Sequence, residues 1–170
     1  MAPDEGACGE PGMTAPSPPG EPGEAGGGDR HLGRTAAWLA KQIELGLATV
    51  DLTLPQYRVL WLLDHGPSVS SALADRLAVS PPSVTAVVDG LVARGLVERR
   101  HDQTDRRHVA HVLTPAGRAA LKGADSSVDR RLDEIISCLG SQRSQERARN
   151  GLAVWREAML AHRKQAGGRT

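Results

Sequence analysis

Residues 70–113 read SSALADRLAVSPPSVTAVVDGLVARGLVERRHDQTDRRHVAHVL, and this run decides the fold. Its turning point is Ser80-Pro81. A serine hydroxyl caps a helix N-terminus well, and proline suits the first helical position, where a missing N–H costs nothing. A helix therefore starts at Pro81, and Val84, Val87, Val88 and Leu91 come at the spacing of one buried face. Gly95 stops it. The preceding helix opens with Ser70 or Ser71 as its cap, turns Leu73, Ala74 and Leu77 inward and connects through Ala78-Val79. Two short helices joined this closely must cross steeply. Beyond Gly95, the segment Leu96 to Arg100 has strand character, Asp102-Gln103-Thr104-Asp105 forms a turn, and Val109, Ala110, Val112 and Leu113 pair back as a second strand. A helix pair followed by a basic hairpin is a winged helix-turn-helix, so the expected fold class is mainly α with a small β-wing.

The outward face of the second helix carries Pro82, Ser83, Thr85, Ala86, Asp89, Gly90 and Ala93, side chains small enough to enter a groove. Ser80, Pro82, Ser83 and Thr85 lie at its N-terminal end, where amides favour phosphate and where a reading helix meets base edges. An isolated serine or threonine more often caps or solvates a helix. Here its place in the turn favours contact with DNA. The hairpin concentrates Arg99, Arg100, Arg106 and Arg107, and a long planar cation on a projecting ribbon suits a narrow minor groove.

The stretch AVSPPSVTAVVDGLVARGLVERR (78–100), the D-x-R at Asp105 to Arg107 and the LTPAG at Leu113 to Gly117 together resemble the MarR (multiple antibiotic resistance regulator) family. The resemblance runs from about Leu32 to Leu160. It implies that the second helix occupies the major groove, that Arg107 enters the minor groove and that Asp105 holds the hairpin tip in shape. Ala86 and Gly90 depart from it, standing where many relatives carry basic or long polar residues. Fewer base-edge contacts are then expected, with more weight on phosphate contacts and groove shape.

Two further stretches carry apolar seams that so small a reading head cannot bury: Leu32, Ala36, Leu39, Ile43, Leu47 and Val50, and then Leu121, Val128, Leu132, Ile135 and Leu139 after a Thr114-Pro115 start. A last helix carries Leu152, Trp155 and Met159. The expected organisation is a folded region over 30–165, with the reading domain at 54–113 and dimerisation helices at 30–51 and 114–163. A homodimer places two reading helices about one DNA turn apart on a palindromic operator. A monomeric helical cap is the alternative.

Residues 1–29 are of different material, rich in glycine and proline and acidic, and are expected to be disordered. They lack the basic start and apolar stretch of a signal peptide, and no segment approaches membrane-spanning length, so a cytoplasmic protein with no membrane partner is expected. The net charge of +1 hides an asymmetry: residues 1–29 hold six acidic groups and no basic ones, which leaves all 21 basic groups facing 14 acidic ones in the remainder. That surplus suits double-stranded DNA through counterion release, and the acidic tail is a candidate competitor for the arginines.

Cys8 and Cys138 are too few for a zinc site or a disulfide framework and are read as structural or incidental; by the family resemblance, Cys138 is weighed as an oxidant sensor. His101, His108 and His111 do not have ligand spacing and are read as phosphate-facing or solvent-facing wing residues. No nucleophile elbow, phosphate loop, carboxylate pair or metal-binding helix motif is present, so no enzyme, metal or cofactor is expected. The four aromatics, Trp38, Tyr57, Trp61 and Trp155, fall on helices. By the family resemblance, Trp38, Tyr57 and Trp61 are candidate walls for a small phenolic or lipophilic effector, against ordinary core packing. The function read from the sequence is a DNA-binding regulator, a dimeric repressor released by ligand; the alternative is a winged-helix scaffold or ligand sensor without specific DNA binding. Replacing Arg107 with alanine should remove most of the specific affinity for operator DNA, measured by fluorescence anisotropy, and a near-unchanged binding curve would contradict the wedge.

Overall fold

The computed structural model describes residues 31–101 and 109–167. By contacts the chain divides into Met1–Leu32 and Gly33–Thr170, and from Gly33 onward the helices and strands belong to the second unit. Their order is α1 (Leu32–Ala48), α2 (Leu54–Asp64), α3 (Ser70–Leu77), α4 (Pro81–Ala93), β1 (Val97–His101), β2 (Val109–Leu113), α5 (Pro115–Ser137) and α6 (Gln142–Gly167).

Three of these helices open with the same chemistry. Thr53 before α2, Ser80 before α4 and Thr114 before α5 each accept a hydrogen bond at the side-chain oxygen from the backbone N–H three residues on, with proline in the first turn. At Thr53 the device is reciprocal, because the Gln56 side chain accepts from the Thr53 N–H at 3.0 Å. The start of α3 differs from the sequence expectation. Val69 is its N-cap and no side chain caps it; Ser70 is already helical and its hydroxyl points elsewhere. The turn after α3 is made by Ala78 in the left-handed region at φ 54°, and α4 ends before Gly95 at φ +70°.

The expected faces are the buried ones. Leu73, Ala74 and Leu77 of α3 and Val84, Val88 and Leu91 of α4 lie in a core shared with Val59, Leu60 and Leu62 of α2. Leu47 of α1 and Leu121 and Val128 of α5 join the same core, so the lower parts of those seams are satisfied within the chain. Higher up, Ile135 and Leu139 remain exposed. The helices α1 and α5 meet closely at Gly46, where an added Cβ would stand 3.2 Å from the Val128 Cα. The buried Ser127 hydroxyl donates to the Gly46 carbonyl at 2.9 Å and lies 2.6 Å from the Thr49 hydroxyl.

The wing is a two-stranded antiparallel sheet with Val97 opposite Leu113 and Arg99 opposite His111. A further bridge joins His111 to Ser68, just before α3. At the foot of the wing the chain enters α5 through a crowded joint. The Thr114 hydroxyl donates to the Gly95 carbonyl at 2.8 Å and accepts from the Gly117 N–H at 2.9 Å. Gly117 is tightly enclosed, for a Cβ there would fall 2.0 Å from the Leu96 carbonyl oxygen. That overlap explains the glycine of LTPAG in steric terms. Gly117→Ala should therefore cost about 2–4 kcal/mol of stability in urea unfolding. Gly123→Ala on the same helix, where an added Cβ meets nothing within 4 Å, should be neutral or stabilise by up to ~1 kcal/mol.

Candidate nucleic-acid interface

The exposed face of α4 begins at its cap. Ser80, Pro82, Ser83 and Thr85 are all exposed, while Val84 and Val88 anchor the opposite side in the core. Their hydroxyls also have local work. The Ser80 hydroxyl accepts from the Ser83 N–H at 3.4 Å and stands 2.7 Å from the Ser83 hydroxyl. Thr85 donates to the Pro81 carbonyl at 3.0 Å, leaving its oxygen free to accept. The capping role and exposure toward a partner thus coexist at one helix end. With alanine at 86 and glycine at 90, the face is shallow along its length.

The arginines of the strand are engaged within the chain, which the sequence did not announce. Arg99 of β1 forms an ion pair with Asp89 of α4, and Arg100 pairs with Glu98, its Nε donating at 2.6 Å. Both pairs are solvent-exposed, so they hold the guanidinium groups in place without contributing much stability. The Asp89–Arg99 contact sets the exposed face of α4 beside the wing. Asp105, Arg106 and Arg107 lie outside the described residues, as does His108.

His111 overturns the expectation of a solvent-facing or phosphate-facing ring. It is only 3% exposed, and its Nε2 lies 2.8 Å from the Ser70 hydroxyl. Burial, reinforced by the charge of Arg99 and opposed by that of Asp89, holds its pKa below the ordinary histidine range. A signal for this existed in the sequence: His111 shares the strand alternation of Leu113, which is buried. The partners of Ser70, Asp89 and His111, which the sequence does not show, are all contacts between elements. No local pattern reveals such partners.

The three aromatics proposed as one pocket wall are not brought together. Tyr57 is half-buried and donates to the Asp125 carboxylate of α5 at 2.7 Å, tying the reading head to the long helix as ordinary packing would. Burial, then the hydrogen bond and charge of Asp125 and the charge of Asp129, raise its pKa well above the tyrosine range, so the phenol stays a donor. Trp61 is exposed and meets the His65 ring edge-on at a centroid distance of 5.2 Å. Trp38 alone of the three lines an open groove of about 440 Å³ between α1, α5 and α6, together with Leu39, Leu132, Ile135, Ala148 and Leu152. Its polar members include Arg131 and Gln42, the guanidinium donating twice to the Gln42 side-chain oxygen at 2.7 and 3.1 Å.

Cys138 is exposed at the C-terminal cap of α5. Among the described residues, no cluster of histidine, cysteine and carboxylate side chains is placed to hold a metal ion, and no helix is long and apolar enough to cross a membrane.

The sequence profile of the MarR family matches residues 50–108. The HTH-type transcriptional repressor Rv2887 of Mycobacterium tuberculosis is 34% identical over 98 residues, which cover 57% of this chain and 70% of the repressor. Among solved structures, the transcriptional repressor CouR bound to a 23-mer DNA duplex is 31% identical, with a TM-score of 0.62 over 76% of this chain and 89% of CouR. The M. tuberculosis Rv2887 complex with salicylic acid is 27% identical, with a TM-score of 0.58 over 72% of this chain and 92% of that one. Profile, sequence and fold all point the same way as the helix pair and the wing: this chain belongs to the MarR family of transcriptional regulators.

Proposed function

We propose that the protein is a sequence-specific repressor that binds a palindromic operator as a homodimer and is released by a small phenolic or lipophilic effector. The observation that carries the reading is the exposed, shallow face of α4 beginning at the Ser80 cap, with the wing strand set beside it through Asp89 and Arg99. A small-faced helix enters the major groove with little steric cost, and the adjoining wing brings cations to the flanking backbone. Ser80, Pro82, Ser83 and Thr85 are the proposed contacts at the helix end. Arg99, Arg100, Arg106 and Arg107 are those of the wing, with Asp105 shaping its tip. DNA competing for Arg99 and Arg100 meets guanidinium groups already oriented by Asp89 and Glu98, so part of the ordering entropy is spent before binding.

Dimerisation is supported by α6, on which Val154 and Met159 are each 62% exposed and Trp155 is 55% exposed. An apolar helix surface of this extent is the mark of a protein–protein contact. The groove beside Trp38 is the proposed effector site, its apolar walls suited to a ring or an acyl chain and its Arg131–Gln42 pair to an attached carboxylate or hydroxyl. Occupancy would matter by favouring one spacing of the two reading heads over another. A repressor of this kind acts in the cytoplasm and catalyses no reaction.

Anisotropy of the full chain on DNA from upstream of its own coding sequence, against a scrambled duplex and across a salt series, tests the reading. Binding should prefer the native fragment, and log K should fall against log salt with a slope of about −0.9 for each phosphate contacted. Equal, weak binding to both duplexes would instead favour a winged-helix scaffold whose partner is a protein.

A further inference from the structure

The DNA-binding reading needs the wing in a fixed place beside α4; buried Val97 and Leu113 seat its foot in the core, and two side chains that face each other across its strands tie it to the helix pair. Arg99 reaches Asp89 of α4 and His111 reaches Ser70 of α3. The backbone of His111 is tied to the same approach to α3, its N–H donating to the Ser68 carbonyl at 2.8 Å and its carbonyl accepting from the Ser68 N–H at 3.2 Å. On these contacts, and resting on the proposed function, we propose that His111 is a positioning residue for DNA recognition, a latch that docks the wing on the helix pair when neutral and releases it when protonated.

The chemistry of the ring supports a latch that responds to protons rather than a passive bond. The Nδ1 atom is buried and has no hydrogen-bond partner among the described residues. Whichever nitrogen carries the proton in the neutral ring, the imidazolium has an N–H at Nδ1, and that N–H would be left without an acceptor. An unmet buried donor and a newly buried charge both oppose docking. The charged groups acting on the ring are Arg99 from the opposite strand, which repels a second cation, and Asp89 from α4, which attracts it; α3 supplies only the Ser70 hydroxyl. Burial is the largest of these effects, and Arg99 and Asp89 act in opposite directions.

Linkage gives the direction of the pH response. A ring whose pKa is lower in the docked state takes up its proton preferentially when undocked. The docked wing is therefore fully favoured above the ordinary histidine pKa of about 6.5 and loses ground as the pH falls below it toward the lowered value. Protonation should weaken docking by up to roughly tenfold for each unit by which docking lowers the ring's pKa, and operator affinity should fall in proportion to the docked fraction of the free protein. Ordinary histidines near DNA act in the opposite direction, since their protonation adds phosphate attraction on acidification.

Two readouts on the full chain separate this latch from the function it serves. The first, in the absence of DNA, is NMR amide exchange at Ser68 and His111 alongside titration of the His111 ring, from about pH 7.5 to about pH 5.5. The second is anisotropy on the native upstream fragment over the same range. In the unmodified protein, protection of both amides should fall as the ring protonates, and the affinity should drop with it. His111→Gln, which can still bond the Ser70 hydroxyl but cannot titrate, should keep the affinity and flatten the profile. If that variant does not fold, Ser70→Ala removes the anchor instead, and the two amides should already be poorly protected at about pH 7.5. Amides that stay protected after the ring has protonated would overturn the latch, as would an unchanged pH profile in folded His111→Gln. Absence of binding to any duplex at neutral pH would count against the proposed function, while the amide readout would still decide the latch.

Discussion

The hydroxyl of Thr114 closes the base of the wing by donating to the Gly95 carbonyl while accepting from the Gly117 N–H. Much of the molecule's geometry depends on this joint. It brings the end of α4 against the start of α5, so the direction in which the hairpin leaves the reading helix and the direction in which the long helix departs are set together. Gly117 makes the approach physically possible, since any Cβ would overlap the Leu96 carbonyl. The foot of the wing thus runs into α5 with only the Thr114 cap between them.

The reading face combines a shallow helix with arginines committed to internal partners. Asp89 holds Arg99, Glu98 holds Arg100, and His111 anchors the opposite strand through Ser70. Surface pairs of this kind contribute little to stability, so their consequence is orientation. A face poor in long polar side chains has few ways to read base edges directly. On the proposed function, selectivity would then lean on how the duplex accommodates the wing, a form of readout by shape and deformability.

Much of the fold was legible because its signals are local. Ser80-Pro81 and Thr114-Pro115 each mark a helix start within two or three residues, and Gly95 marks a stop. The valines of α4 repeat at a period that only a helix with one buried face satisfies. Ser70 shows where such reasoning fails. A serine ahead of an apolar run reads as a cap, yet its hydroxyl is more valuable to a buried imidazole 41 residues away than to the nearby amides. The placement of the aromatic residues shows the same limit. Their helices were evident, but whether Tyr57, Trp61 and Trp38 face one cavity depends on the rotation of three helices about their own axes, and Asp125 captures the tyrosine first.

Capping, periodicity and turn chemistry act over a few residues, so the order of elements, the winged helix-turn-helix and the small face of α4 follow from the order of amino acids alone. The partners of the charged and titratable side chains do not. Arg99 meets Asp89 because a strand crosses the flank of a helix, and His111 is buried because the foot of the wing folds back on the approach to α3. Packing of separate elements against a common core sets those distances, and the dielectric surroundings that displace the pKa of His111 arise only once that packing is complete.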